Sequence, residues 1–371
     1  MNRTARRRSA LERELVAMIA SDGPLTVERY MALCLGHARH GYYMRQDPLG
    51  AAGDFTTAPE ISQIFGELIG IWCLAVWRVM GEPSPFRLIE LGPGRGTLMA
   101  DLLRAGRVMP GFVESVKVAL VETSPILRQS QAKTLARSGA AVHWHARLEE
   151  VPAGPTLLIA NEFLDALGVK QLVRTATGWR ERLVGLNTSG NLVFGLAPDP
   201  LSPDMLPQWA VTAGQGEVAE VSPARHEVAH ELGARLKTMG GAGLIIDYGH
   251  VRSAPGETLQ AVRAHAFHDV LEAPGECDLT SHVDFEATGL ALQAGGAAVH
   301  GPITQGAFLS AMGLAERAQV LKRHADSISH AEIDAATERL AAKSQMGHLY
   351  KVLAATHPDL PPPYPFNELT A

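Results

Sequence analysis

The sequence predicts an α/β protein built on a mainly parallel, doubly wound sheet, with a helical segment before the sheet and an α+β module inserted into it. Three observations carry this reading. From residue 87 onward, short β-branched or Leu-rich runs alternate with helical stretches, the pattern of βαβ units. The turn Gly92-Pro93-Gly94-Arg95-Gly96 joins the first apolar run to the helix that follows it. Finally, 371 residues at 46% hydrophobic and 19% charged are too apolar for a disordered chain, and long enough for one large domain with insertions or two ordinary ones.

The elements follow in order. Residues 11–20 and 26–35 read as helices, the second preceded by Pro24 and capped by Thr26. A Gly-rich loop over 41–53 leads into a long helical pattern over 59–80, closed by Gly81, Pro83 and Pro85. Strands are expected at 87–91, 116–121, 141–145, 156–160 and 243–246, with helices at 97–105 and 125–138 and a short turn near Leu148. Between the fourth and fifth strands, 169–173, 179–186 and 191–194 read as an antiparallel meander with a turn at Thr188-Ser189-Gly190, followed by a helix over 224–238. An irregular segment to about residue 282 precedes helices near 285–293, 308–312 and 331–343 and strands near 297–300 and 348–353. The expected organisation is a helical cap region over 1–82, a core over 83–167 and 241–371, and an inserted module over 168–240.

Composition narrows the partners. Lys+Arg 33 against Asp+Glu 39 gives a net charge of −6, with no broad basic footprint for nucleic acid or an anionic membrane. Three widely spaced cysteines, Cys34, Cys73 and Cys277, argue against a disulfide framework and a Cys-based zinc site, and fit a reducing cytosol. The close histidine pairs 37/40, 143/145 and 265/268 match no metal-ligand string, so no metal is expected. No apolar run reaches the length of a membrane span. Arg3, Arg6, Arg7 and Arg8 form too short a stretch for a transit peptide and read as a basic, solvated tip, so a cytoplasmic location is expected.

A glycine turn between strand and helix lets a ligand approach the backbone while the helix amides serve its polar groups; the alternative is a tight turn and nothing more. Dinucleotide sites need G-x-G-x-x-G, and Thr97 breaks that spacing, which disfavours a nicotinamide oxidoreductase. Glu122, ending the second strand 26 residues after Gly96, is placed to accept both hydroxyls of an adenosine ribose, or else is a solvated strand end. Glu90, just before the turn, can accept from an ammonium. S-adenosylmethionine (SAM) carries an ammonium, a sulfonium and a ribose but no phosphate, and it suits two carboxylates around Gly92, Gly94 and Gly96. Arg147 and Leu148 fall where a loop contacting adenine would lie.

The fourth strand runs into Asn161-Glu162-Phe163-Leu164-Asp165, outside the carboxyl ends of the strands where such sheets bind ligands. A guanidinium is protonated at physiological pH, so methylating it requires carboxylates that grip its fork and take its proton. Glu162 is the first candidate and Asp165 the second, with Asn161 assisting and Phe163 as an apolar wall; alternatively, Asp165 caps a following helix. Tyr43, Asp54, Phe55 and Thr57 form a candidate substrate wall, although Thr57 also reads as a helix cap. Asp247 and Tyr248, at the end of the fifth strand, are a candidate third rim.

The strings GDFTTAPEISQIFGE (53–67), IELGPGRGTLMADLL (89–103), VETSPILRQSQ (121–131), NEFLDAL (161–167), IIDYG (245–249), the stretch 259–285 with its DLTSHVDF end, and QGAFLSAMG (305–313) together resemble the MidA-type, complex I assembly-factor family of SAM-dependent methyltransferases. The resemblance implies a class I, Rossmann-like methyltransferase fold, SAM as methyl donor with S-adenosyl-homocysteine as product, and arginine methylation of a complex I subunit by the mitochondrial members. Gly92, Gly94 and Gly96 match its cofactor motif, Glu122 its ribose-binding acid, and Asn161-Glu162-Phe163 its motif after the fourth strand. Leu167-Gly168 stands where Leu-Pro is usual, and 348–351 where a Phe-Lys ending is usual. The expectation is a bacterial cytoplasmic member acting as a protein arginine methyltransferase; the alternative is a SAM-binding assembly protein with little catalysis.

Overall fold

The computed structural model describes residues 8–45, 57–203, 206–263, 266–323 and 325–368. It divides into two units: a sheet unit of Thr56–Leu164, His226–Arg252 and Val283–Ala371, and an accessory unit of Met1–Phe55, Asp165–Arg225 and Ser253–His282.

The sheet unit is organised by seven strands, β1 (Phe86–Leu91), β2 (Val116–Val121), β3 (Ala141–His145), β4 (Thr156–Asn161), β5 (Gly241–His250), β6 (Ala298–Thr304) and β7 (Tyr350–Thr356), in the spatial order β6-β7-β5-β4-β1-β2-β3. Neighbours from β3 to β5 run parallel, whereas β7 is antiparallel to both β5 and β6. A two-residue strand, Val283–Asp284, pairs with the end of β5 beside this path. The strand order reverses between β1 and β4, so a crevice opens outside their carboxyl ends. Both strands are almost wholly buried, which explains their unbroken apolar runs.

Ser62 leaves helical geometry (φ −160°, ψ 138°) and its hydroxyl accepts from Ile64 N–H, so the helical pattern expected over 59–80 splits into Ala58–Ile61 and Gln63–Val79. The longer helix lies against Thr97–Gly106 at close range. A Cβ on Gly66 would stand 2.6 Å from Asp101 Cβ, and one on Gly70 2.9 Å from the Leu102 carbonyl, so two glycines four residues apart set that approach. The same helix buries Phe65, Trp72 and Trp77, each contributing roughly 2–3 kcal/mol of apolar transfer. This packing places the helix in the sheet unit and divides the cap region expected over 1–82.

The accessory unit holds helices Ala10–Asp22 and Val27–Gly36, capped by the Ser9 and Thr26 hydroxyls. Its meander, Lys170–Thr175, Gly178–Leu186 and Leu192–Leu196, joins Leu25–Thr26 and Val218–Val221 in a five-stranded sheet. The segment expected to be irregular forms a three-stranded sheet of Gln260–Arg263, Ala266–His268 and Asp278–Thr280. His37 and His40 stack at 5.5 Å, and each lies 3.2 Å from a Glu14 oxygen, a polar-contact and packing role. No helix among the described residues is long and apolar enough to cross a membrane.

Candidate active site

The glycine turn after β1 occupies the left-handed region at Gly92 (φ 60°), Gly94 (φ 52°) and Gly96 (φ 81°), a conformation that β-carbon-bearing residues rarely adopt. Gly92 is needed for space as well: a Cβ there would stand 2.8 Å from the Phe163 ring. Gln131, fully buried on the Pro125–Leu135 helix, donates from Nε2 to the Gly94 carbonyl (2.8 Å) and to Glu122 Oε2 (3.3 Å), while its Oε1 accepts from Trp144 Nε1 (2.9 Å). Glu122 also accepts from Ser124 N–H at 2.7 Å. It is therefore a held, buried carboxylate rather than a solvated strand end; burial raises its pKa and the amides of Ser124 and Thr123 restrain that rise.

Glu90 is buried within β1, and desolvation pushes its carboxyl up to about 8. Among the described residues its Oε2 has no hydrogen-bond partner, nor does Asn161 Oδ1. Parallel pairing puts Glu90 opposite Ile159, so Glu90 and Asn161 project from the same face of the sheet. Two buried acceptors without a donor on one face are costly unless a cationic donor meets them.

Beyond β4, Glu162 takes a left-handed backbone (φ 48°), unusual for a non-glycine residue and frequent at functional sites. Its Oε1 accepts from Ala58 N–H (3.0 Å) and Asn161 Nδ2 (3.2 Å), and its Oε2 accepts from the Tyr350 hydroxyl (3.0 Å). The segment that supplies Ala58 is also tied to the glycine turn, because Glu60 accepts from Thr97 Oγ1 at 2.6 Å and pairs with Arg95 at 3.5 Å. Thr57 holds the N-cap position of that short helix without a side-chain cap bond.

Other expected residues fall differently. Asp247 has no solvent exposure, and its oxygens accept from Leu164 N–H (3.0 Å) and Tyr248 N–H (2.9 Å); it shapes the loop after β4 and cannot form a substrate rim. Tyr248 does flank the Glu162 cluster, with its ring 5.4 Å from that of Tyr350. Asp165 belongs to the accessory unit and caps no helix: the chain turns there and continues into Lys170–Thr175. Its side chain is buried, near enough to Tyr43 to act on that phenol. Tyr43 donates to Asp278 Oδ1 at 3.0 Å, and burial with the Asp278 and Asp165 carboxylates holds its phenol well above the ordinary range. Leu148 is buried after β3, while Arg147 is largely exposed and pairs with Glu150 at 3.6 Å. Asp54 and Phe55 lie outside the described residues.

Residues 68–303 match the model of a family described as S-adenosyl-L-methionine-dependent methyltransferase. The chain belongs to this family. Its relatives include the protein arginine methyltransferase NDUFAF7, mitochondrial, of Danio rerio, 38% identical over 91% of this chain and 85% of that protein. The Homo sapiens protein of the same name is 39% identical over 83% of this chain and 74% of its own length. Among solved structures, a Burkholderia thailandensis protein bound to S-adenosyl-homocysteine has a TM-score of 0.83 at 27% identity, covering 94% of this chain and 92% of that one. The strand order, with β7 antiparallel between β5 and β6, is that of a class I methyltransferase. The expected bacterial cytoplasmic location does not stand, since the curated relatives are named as mitochondrial proteins.

In this methyltransferase the cofactor is S-adenosyl-L-methionine, and the residues present fit it: the unpartnered Glu90 and Asn161 oxygens suit an ammonium, and the left-handed glycine turn leaves the backbone open to a ligand. Three site residues escape sequence reasoning. Gln131, Glu60 and Tyr350 act through partners 37, 37 and 188 residues away, and only a three-dimensional neighbourhood marks them out.

Proposed function

We propose that this methyltransferase modifies an arginine side chain of a protein and that Glu162 holds the guanidinium. The observation that carries the reading is a carboxylate in strained backbone, held among the described residues by donors from Ala58, Asn161 and Tyr350, one residue before the ring that packs on the glycine turn. The names of the relatives support the acceptor class. When bound, SAM supplies an electrophilic methyl on its sulfonium. Glu90 and Asn161 accept from the ammonium, Glu122 from the ribose hydroxyls, and Leu148 and Arg147 lie on the adenine side. Glu162 accepts from the guanidinium and takes the proton released as its nitrogen becomes a nucleophile, since that group does not ionise unaided near pH 7. Phe163, Tyr248 and Thr57 wall the acceptor. The family resemblance extends the proposal to a respiratory complex I subunit as the protein substrate.

The test is labelled-methyl transfer from SAM into a lysate of cells lacking this gene, followed by mass spectrometry. Glu162→Gln is expected to retain S-adenosyl-homocysteine binding within about twofold and to lose at least about 100-fold in rate, the scale of general-base catalysis. Normal labelling by that variant, or label found only on residues other than arginine, would sink the assignment.

A further inference from the structure

Glu162 is held through elements that differ in rigidity. Ala58 belongs to a four-residue helix, and Asn161 is its own neighbour. Tyr350, in contrast, opens β7, where strand pairing sets it opposite Tyr248 and the two rings meet at 5.4 Å and 58°. The turn entering β7 is clamped as well, because the buried Lys351 ammonium donates to the His348 (2.5 Å) and Leu349 (2.9 Å) carbonyls. The phenol is therefore delivered to Glu162 Oε2 from a rigid frame, on an oxygen that neither the Ala58 nor the Asn161 bond engages.

We propose that Tyr350 is a positioning residue for the methyl transfer, fixing the orientation of Glu162 Oε2 and favouring the ionised carboxylate that receives the guanidinium. A donor on a carboxylate stabilises its charged form, and locked hydrogen bonds around a reacting group typically carry about 10–100-fold in rate. The inference rests on the reading of Glu162 as the acceptor-binding carboxylate. Phenylalanine keeps the ring against Tyr248 and removes only the hydroxyl.

The measurement is the initial rate of labelled-methyl incorporation into lysate protein from cells lacking the gene, over a dilution series of that lysate and from about pH 5 to 9. For Tyr350→Phe the expected result is a rate about 10-fold or more lower in dilute lysate, with the acid limb of the profile moved to higher pH. S-adenosyl-homocysteine affinity by calorimetry should stay within about twofold of the parent protein. An unchanged rate and acid limb would overturn the proposal, as would a parallel loss of cofactor affinity and thermal stability, the mark of a purely structural tyrosine. Glu162→Gln separates the two levels: if it is inactive while Tyr350→Phe behaves as the parent, only the positioning role fails. If Glu162→Gln is fully active, the reading of Glu162 fails with it.

Discussion

If Glu90 receives the ammonium as proposed, its buried carboxyl couples ionisation to ligand binding. Its folded-state pKa of about 8 lies above the roughly 4.3 of an unfolded glutamate, so between those values the ligand-free native state holds a proton that the unfolded chain has released. Stability of the ligand-free protein therefore declines as pH rises across that window. A bound ammonium reverses the preference and draws out the ionised form. S-adenosyl-homocysteine affinity is accordingly expected to rise from about pH 6 to about pH 8, with close to one proton released per ligand near pH 7. Calorimetry in buffers of differing ionisation heat reads that proton; no release at pH 7 would remove Glu90 as the ammonium partner. Glu90→Gln should bind about 10-fold or more weakly and lose this pH dependence.

The glycine turn was legible at the scale of the element because its signal is local: an apolar strand, small residues without β-carbons, then a helix. What held the turn in place was not. Gln131 reaches the Gly94 carbonyl and Glu122 from another helix, and nothing in its own neighbourhood sets it apart from a surface glutamine. Gln131→Leu should therefore weaken S-adenosyl-homocysteine binding by about 10-fold while the helix itself persists, as read by calorimetry and circular dichroism. At Gly92 both sterics and backbone oppose a side chain. Gly92→Ala is expected to cost about 1–3 kcal/mol of stability and to abolish measurable cofactor binding; a variant that binds normally would show that the Phe163 ring gives way.

Long-range ion pairing ties the sheet unit together. Glu67, buried on the Gln63–Val79 helix, accepts from Arg104 (3.0 Å) and from Arg317 (2.7 and 3.0 Å), the latter 250 residues away in sequence. Burial alone would raise its pKa, but the two guanidiniums outweigh that and hold it below the usual carboxylate range. Its contribution is thus present above the unfolded-state pKa and lost as pH falls through the folded-state value. Glu67→Ala should destabilise by about 2–3 kcal/mol in urea unfolding at pH 7, less than a fully buried pair because both arginines keep some solvent contact. A change under about 0.5 kcal/mol would mean that the triad is only a surface arrangement.

By itself the sequence determined the βαβ order, the glycine turn and the acids at the ends of β1, β2 and β4. These are written in strand and helix periodicities and in short strings whose chemistry is local. Only the tertiary structure decided that Asp247 is a buried loop anchor, that Asp165 caps no following helix and lies near Tyr43, and that Glu162 is gripped by Ala58 and Tyr350. The reason is physical. A carboxylate's role depends on which donors reach it and whether water does, and those donors arrive from chain positions 104 and 188 residues away that no local pattern brings together.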